Sequence, residues 1–255
     1  MTIVFDHVSK TYDDGTIGVG DVSLTVRDGE VMVLVGPSGS GKTTLMRMVN
    51  RMVEPTSGRV LIDGRDVRGR DPIALRRSIG YVIQGGGLLP HRTVVDNIAT
   101  IPMLNGVGRK RARDHAMGLL GKVGLDASLA GRYPAQLSGG QRQRVGVARA
   151  LAADARILLM DEPFSAVDPV VRRELQNEVR RVQHDFGVTV VFVTHDINEA
   201  FFLADRIALL GDGGVLEQVD VPSRILGTPA NERVRAFVEA GRPRMDKGVR
   251  CGLAV

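Results

Sequence analysis

The 255 residues are 43% hydrophobic and 25% charged, with one cysteine, no tryptophan and a formal net charge of +5. These values exclude a disulfide-stapled scaffold and, because no run of about 18 apolar residues occurs, a membrane span; they suit one large globular domain, with or without a subdomain. The mild positive balance admits nucleotide, nucleic acid or an acidic membrane surface as partner, although a solvated face with spare arginines is the favoured reading. The lone thiol, Cys251, has no internal partner and fits a reducing compartment, and Asp6 and His7 interrupt any leader-like apolar segment.

In chain order, Ile3-Val4-Phe5 and Val22-Ser23-Leu24-Thr25-Val26 predict an antiparallel β-region. Val31-Met32-Val33-Leu34-Val35 is apolar throughout, as in a strand buried on both faces, and Gly36-Pro37-Ser38-Gly39-Ser40-Gly41-Lys42-Thr43 follows it. Leu45, Met48, Val49 and Met52 then mark a helix face. Tyr81-Val82-Ile83 is a short strand ending at Gln84. Residues 85–150 carry little strand signal; Ala112, Ala116, Leu119, Leu120 and Val123 mark a helix there. The cluster Arg109, Lys110, Arg111 and Arg113 at its start reads as a solvated face rather than a binding patch. Leu137-Ser138-Gly139-Gly140-Gln141 precedes a helix bearing Val145, Ala148 and Leu151.

Two further apolar strands, Ile157–Met160 and Val188–Val193, end in Asp161-Glu162 and Thr194-His195. Between them Val171, Leu175, Val179, Val182 and Phe186 line one face of a helix from 168 to 187, capped by Asp168 and Pro169 and closed by Gly187. A helix starting at Asp196, with Glu199 completing a capping box, is expected to bury Ile197, Ala200, Phe201 and Ala204. Beyond Gly241 the composition predicts disorder. Ligands of open parallel sheets bind beyond the carboxyl ends of strands, so three polar strand ends point to one shared site.

The glycine loop has the G-x-x-x-x-G-K-[ST] pattern in the strand–loop–helix context that a phosphate cradle needs. Its backbone N–H groups and the following helix terminus favour anionic oxygens, Lys42 reaches the β- and γ-phosphates, and Thr43 supplies a hydroxyl to Mg²⁺. Asp161 suits Mg²⁺, and the adjacent Glu162 suits orienting an attacking water. Taken alone, Asp-Glu-Pro is also a plain strand-to-turn junction. Gln84 is a neutral amide able to ligate Mg²⁺ and contact water, and His195 can donate to a γ-phosphate; both draw their weight from location alone. Ser138 is a natural helix cap, while the two glycines after it can expose N–H groups to an anion.

The ordered set of Tyr12, loop 36–43, Gln84, the signature 137–141, strand 157–162, Ser165-Ala166-Val167-Asp168 and His195 resembles the nucleotide-binding subunits of ABC transporters over about residues 1–240. The resemblance implies an α/β fold: a P-loop NTPase core of mostly parallel sheet (residues 1–84 and 153–240), an N-terminal antiparallel β-region, and an inserted helical signature subdomain (85–152), with 241–255 as a tail. It implies ATP and Mg²⁺ as cofactors and a head-to-tail homodimer. ATP is then held by Gly36 to Thr43 and Thr44 of one copy and by Ser138, Gly139, Gly140 and Gln141 of the other. Tyr12 stacks on adenine, Glu162 is the catalytic base, His195 and Gln84 complete the catalytic set, and Asp168 contacts the partner copy. Thr43, Gln84 and Asp161 hold the metal. The segment from Gln84 to Leu104 passes motion to separate transmembrane permease subunits, which work with an extracytoplasmic solute-binding protein and place this chain at the cytoplasmic face of the inner membrane.

A narrower likeness, to importers of glycine betaine, choline and carnitine, rests on Asn50–Gly58, Leu75–Gln84, Gly87–His91, Asp161–Pro169 and Pro229-Ala230-Asn231. Two departures stand out: Gly85-Gly86-Gly87 is expected to be unusually flexible, and the roughly 15 residues after Gly241 leave no room for the C-terminal regulatory repeats of many relatives. Importers of amino acids or polyamines, and a non-transporting ATPase that regulates a membrane complex, are the alternatives. An ATPase acting on nucleic acid is disfavoured, because the roughly 50 residues between Gln84 and Leu137 hold no long coiled coil and the chain has one ATPase unit.

Overall fold

The computed structural model describes residues 1–165 and 167–241, so the expected disordered tail with Cys251, and Ala166, lie outside the described residues. The chain opens with a hairpin, β1 (Ile3–Thr11) and β2 (Ile17–Val26), in which Ile3 faces Val26 and Phe5 faces Leu24. β3 (Val31–Val35) runs into the glycine loop and α1 (Lys42–Val49). β4 (Ser57–Ile62) and β5 (Arg65–Asp66) rejoin the hairpin, and α2 (Pro72–Ser78) leads to β6 (Gly80–Ile83). Helices α3 (Val94–Ile98), α4 (Thr100–Leu104), α5 (Arg109–Lys122) and α6 (Gly139–Leu151) follow. Then β7 (Ile157–Asp161), α7 (Pro169–Phe186), β8 (Thr189–Thr194), α8 (Ile197–Leu203) and β9 (Arg206–Leu210) alternate. β10 (Leu216–Asp220), α9 (Pro222–Gly227) and α10 (Glu232–Gly241) complete the described chain.

The strands form two sheets, an antiparallel one ordered β2-β1-β4-β5 and a larger one ordered β10-β9-β3-β8-β7-β6. The larger sheet is parallel from β9 to β6, with β10 antiparallel at its edge, as the α/β reading expects. Successive side chains of a strand point to opposite faces, so each central strand feeds two cores. Val33, Leu158, Met160, Val190 and Phe192 join one core with α6, α7 and α8; Met32, Leu34, Leu159, Val191 and Val193 join the other, with α1 and the antiparallel sheet. Full burial of such a side chain is worth about 1.5–3 kcal/mol. Neither face of β3, β7 or β8 therefore has room for polar chemistry, which is confined to the strand ends.

The helix from Asp168 forms as predicted. The Asp168 carboxylate accepts from the Val170 N–H, Pro169 takes the first turn, and Gly187 ends the helix at φ +59°. Leu175, Val179 and Val182 are buried, whereas Phe186 is exposed at the rim with Lys122 Nζ 5.0 Å from its ring centroid. Two other expectations are corrected. Helix α1 stops at Val49 and Arg51 turns left-handed at φ +54°, so Met52 leaves the apolar face and is exposed. Asp196 caps α8 through the Asn198 N–H, but Glu199 makes no capping box: its carboxylate turns inward and accepts from Thr194 Oγ1 at 2.7 Å. Leu203 is fully buried on that helix, while Phe201 is only half-buried.

Between Ile83 and Ile157 the described residues contain helices and turns but no strand. The predicted positions Ala112, Ala116, Leu119, Leu120 and Val123 are all buried, and they share one continuous apolar cluster with Val33 and Val82 of the large sheet. Of the basic cluster, Arg113 pairs with Asp96 at 3.0 Å, and Arg109, Lys110 and Arg111 are exposed.

Candidate functional site

At the carboxyl end of β3 the glycine loop turns back against the hairpin. A Cβ at Gly41 would lie 1.9 Å from the Gly18 carbonyl oxygen, so the loop can reach this wall only without a side chain there. The result is a cleft of about 290 Å³ lined by Tyr12, Ser38, Gly39, Gly41, Lys42, Thr43, Thr44 and Glu162. Thr16, Ile17 and Gly18 also line it; sequence reasoning missed these three, although the turn joining β1 and β2 sets them beside Tyr12, whose N–H donates to the Thr16 carbonyl. Tyr12 is 40% exposed, its hydroxyl is 3.1 Å from Thr44 Oγ1, and Lys10 Nζ sits 5.4 Å from its ring centroid. A flat aromatic wall at one end and a cationic, N–H-rich loop at the other suit a base and its phosphates.

Lys42 Nζ donates to the carbonyls of Gly36 (2.9 Å) and Pro37 (2.6 Å) and lies 3.3 Å from Ser40 Oγ. These three predicted residues thus hold the lysine rather than line the cleft. Burial lowers the Lys42 pKa, and the nearby Glu162 and Asp161 carboxylates oppose that shift. Thr43 Oγ1 donates to Asp161 Oδ1 at 2.7 Å. Two hard oxygen donors in contact fit Mg²⁺, and no cluster of three or more His, Cys, Asp or Glu exists among the described residues. An ion held here would draw its remaining ligands from phosphate and water.

Arg47, absent from the sequence reading, and Tyr81, read there only as a strand residue, complete the surroundings of Asp161. Its Oδ2 accepts from Arg47 Nη2 at 3.3 Å and from the Tyr81 hydroxyl at 3.2 Å. Glu162 takes a left-handed backbone, φ +43°, pinned by its N–H to the Val193 carbonyl at 3.0 Å. Such a conformation is costly for a non-glycine residue and clusters at functional sites. It carries the Glu162 carboxylate to 3.2 Å from His195 Nδ1. Arg172 then ties the neighbouring loops: it donates to the Val167 carbonyl at 3.2 Å and lies 3.7 Å from Asp196 and 3.8 Å from Glu199.

The remaining predicted residues do not line the cleft. Gln84 is exposed at the start of a tight turn, and Asp168 is engaged as the cap of α7. Ser138 caps α6 in a full capping box: its Oγ accepts from the Gln141 N–H at 3.2 Å, and the Gln141 side chain accepts from the Ser138 N–H at 3.0 Å. Gly140 has a packing reason beyond any anion, since a Cβ there would meet Val171 Cγ1 at 2.6 Å. The segment Gly85–Gly87 is left-handed throughout, at φ +68°, +78° and +56°. Gly86 packs so tightly on α6 that a Cβ would lie 2.5 Å from the Arg142 carbonyl oxygen, and Arg149 donates to the carbonyls of Gly86 (2.8 Å) and Gly87 (2.7 Å). Close approach accounts for glycine at 86, whereas a Cβ at Gly85 would meet nothing within 4 Å. Burial lowers the Arg149 pKa.

Among the described residues no helix is long and apolar enough to cross a membrane. Residues 19–165 match the family model described as ABC transporter. The carnitine transport ATP-binding protein OpuCA of Listeria monocytogenes is 48% identical over 238 residues, which cover 93% of this chain and 60% of that protein. The glycine betaine uptake system ATP-binding protein YehX of Escherichia coli is 48% identical, over 92% of this chain and 76% of its own. The dimeric post-hydrolysis state of the ATP-binding cassette MJ0796, bound to ADP and Pi, superposes with a TM-score of 0.76 at 34% identity, covering 86% of this chain and 98% of that one. The chain spans about 60% of the length of the first curated relatives it matches.

Proposed function

The chain belongs to the ABC transporter family, and on that premise we propose that it binds and hydrolyses ATP to power import of a quaternary ammonium solute through separate permease subunits. The observation that most supports this reading is the cleft in which Tyr12, Lys42, Thr43 and Glu162 line one surface. Adenine stacks on Tyr12, and the phosphates lie on the N–H groups of the cleft-lining loop residues Ser38, Gly39, Gly41, Lys42 and Thr43, with Thr44 alongside and Lys42 at the β- and γ-phosphates. Thr43 and Asp161, in contact through their oxygens, would hold Mg²⁺, which would supply charge neutralisation at the phosphates; Gln84, exposed in the turn after β6, would reach such an ion only by a shift of that turn. Glu162 orients the attacking water and takes its proton. His195, whose Nδ1 lies 3.2 Å from a Glu162 carboxylate oxygen, hydrogen-bonds a γ-phosphate oxygen.

The signature residues Ser138, Gly139, Gly140 and Gln141 lie outside this cleft. They act on the nucleotide of a second copy, which packs head to tail, and Asp168 contacts that copy as well. ATP favours the closed pair, and hydrolysis removes the bias. Residues 85–152 act as the helical subdomain that transmits this movement from the core formed by 1–84 and 153–240. The permease and an extracytoplasmic solute-binding protein select the solute, and this chain sits peripherally on the cytoplasmic face of the inner membrane. The names of the relatives, carnitine transport and glycine betaine uptake, support that solute class. Uptake of radiolabelled betaine, choline and carnitine, compared in cells with and without the gene, tests it. Loss of at least one uptake activity on deletion is expected; unchanged uptake of all three contradicts the solute class.

A further inference from the structure

We propose that Arg47 and Tyr81 are positioning residues for Asp161, fixing its carboxylate so that one oxygen faces Thr43 and the metal while the other is held from behind. The inference rests on the reading of Thr43 and Asp161 as the Mg²⁺ ligands. Asp161 closes β7, and its side chain is only 12% exposed. One oxygen takes the Thr43 hydroxyl at 2.7 Å; the other takes the Arg47 guanidinium at 3.3 Å and the Tyr81 hydroxyl at 3.2 Å. Arg47 Nε also donates to the Tyr81 oxygen at 3.1 Å, so guanidinium, phenol and carboxylate close a ring of hydrogen bonds.

The fold explains why these three meet. Thr43 and Arg47 are four residues apart on α1 and share one helix face. The face that presents the hydroxyl therefore also presents the guanidinium. Tyr81 lies on β6, where it faces Leu159 while Ile83 faces Asp161. Leu159 and Asp161 point to the same side of the sheet, so Tyr81 reaches along its own strand to the next same-side position of the neighbour. With both oxygens engaged, the carboxylate has no free rotation. Without Arg47 and Tyr81, Oδ2 loses both protein partners in a largely buried position, and the cost of an unpaired polar atom drives the group to turn away from Thr43.

The test separates nucleotide binding from metal binding by titrating a fluorescent ATP analogue (mant-ATP) in EDTA and at graded Mg²⁺. Partners that orient a metal ligand typically set metal affinity by about 10–100-fold. Tyr81→Phe, which removes one oxygen and little volume, and Arg47→Ala are each expected to raise the half-saturating Mg²⁺ about tenfold, while affinity in EDTA stays within about twofold of wild type. Arg47→Lys, with the charge but not the planar fork, should recover only part of the loss. An unchanged or lowered Mg²⁺ requirement in both Tyr81→Phe and Arg47→Ala overturns the assignment. So does equal weakening with and without Mg²⁺, the mark of general damage to the loop. A wild-type protein that binds mant-ATP with no Mg²⁺ dependence overturns the underlying reading of Thr43 and Asp161 instead, and this inference falls with it.

Discussion

Gly39 and Gly41 have nearly the same backbone, φ +83° and +80°, yet stand in different surroundings. A Cβ at Gly39 would find nothing within 4 Å; at Gly41 it would lie 1.9 Å from the Gly18 carbonyl oxygen and 3.4 Å from Val19 Cγ2. An alanine in the left-handed region costs about 1–2 kcal/mol, partly offset by about 0.4–1 kcal/mol from the stiffer unfolded chain. Gly39→Ala should therefore cost about 1 kcal/mol, which for a domain of this size lowers Tm by about 2–4 °C. Gly41→Ala carries the same strain plus an overlap with backbone that no rotamer relieves, about 1–3 kcal/mol more, for a drop of about 4–16 °C. Thermal unfolding without nucleotide compares the two directly. Because the overlap also pushes the loop off the wall that carries Tyr12, Gly41→Ala should bind ATP at least about tenfold more weakly, the effect of about 1.4 kcal/mol. Equal Tm shifts for the two variants would refute the argument that contact with Gly18 shapes the cleft.

Glu162→Gln should bind ATP but hydrolyse it about 10²–10⁴-fold more slowly, the usual contribution of a general base, and should accumulate as an ATP-bound dimer by light scattering. Hydrolysis at the wild-type rate removes Glu162 from that role. Burial raises the Glu199 pKa above its ordinary value of about 4.5, with the Thr194 hydroxyl opposing the shift. A group that holds its proton more tightly when folded stabilises the fold below its unfolded pKa, and that contribution is lost as pH rises through the folded value. Glu199→Gln, whose amide oxygen can still accept from Thr194, should thus gain stability relative to wild type from about pH 4.5 upward in urea unfolding. Parallel pH curves for the two proteins contradict it.

What could be read from the sequence is what lies within single elements. The unbroken apolar run Val31–Val35 could only be a strand covered on both faces, and Asp168, Pro169 and Gly187 bracket their helix through short-range hydrogen bonds and backbone preference. The phosphate-type loop is contiguous, so its pattern survives any uncertainty about the rest of the chain. What could not be read depends on contacts between elements. Arg47, Tyr81 and Asp161 come from a helix and two strands spread over more than a hundred positions, and no spacing rule links them. The inward turn of Glu199 toward Thr194 overrode a local capping preference because the buried hydroxyl offered a competing partner. Gly140 looked like an anion-binding feature alone until α7 supplied Val171 as a steric reason for it. Phe186 followed the right periodicity but fell past the edge of the surface that α7 covers.

The most direct test of the account mixes two dead chains. Lys42→Ala disables the phosphate loop, and Ser138→Arg disables the signature that would serve the partner. If each nucleotide is shared between two copies, a dimer of one chain of each kind has one site with both defects and one site intact. An equal mixture should then recover up to about a quarter of wild-type hydrolysis per chain, while each variant alone stays inactive. A mixture that forms mixed dimers yet is as inactive as its components would contradict the shared site.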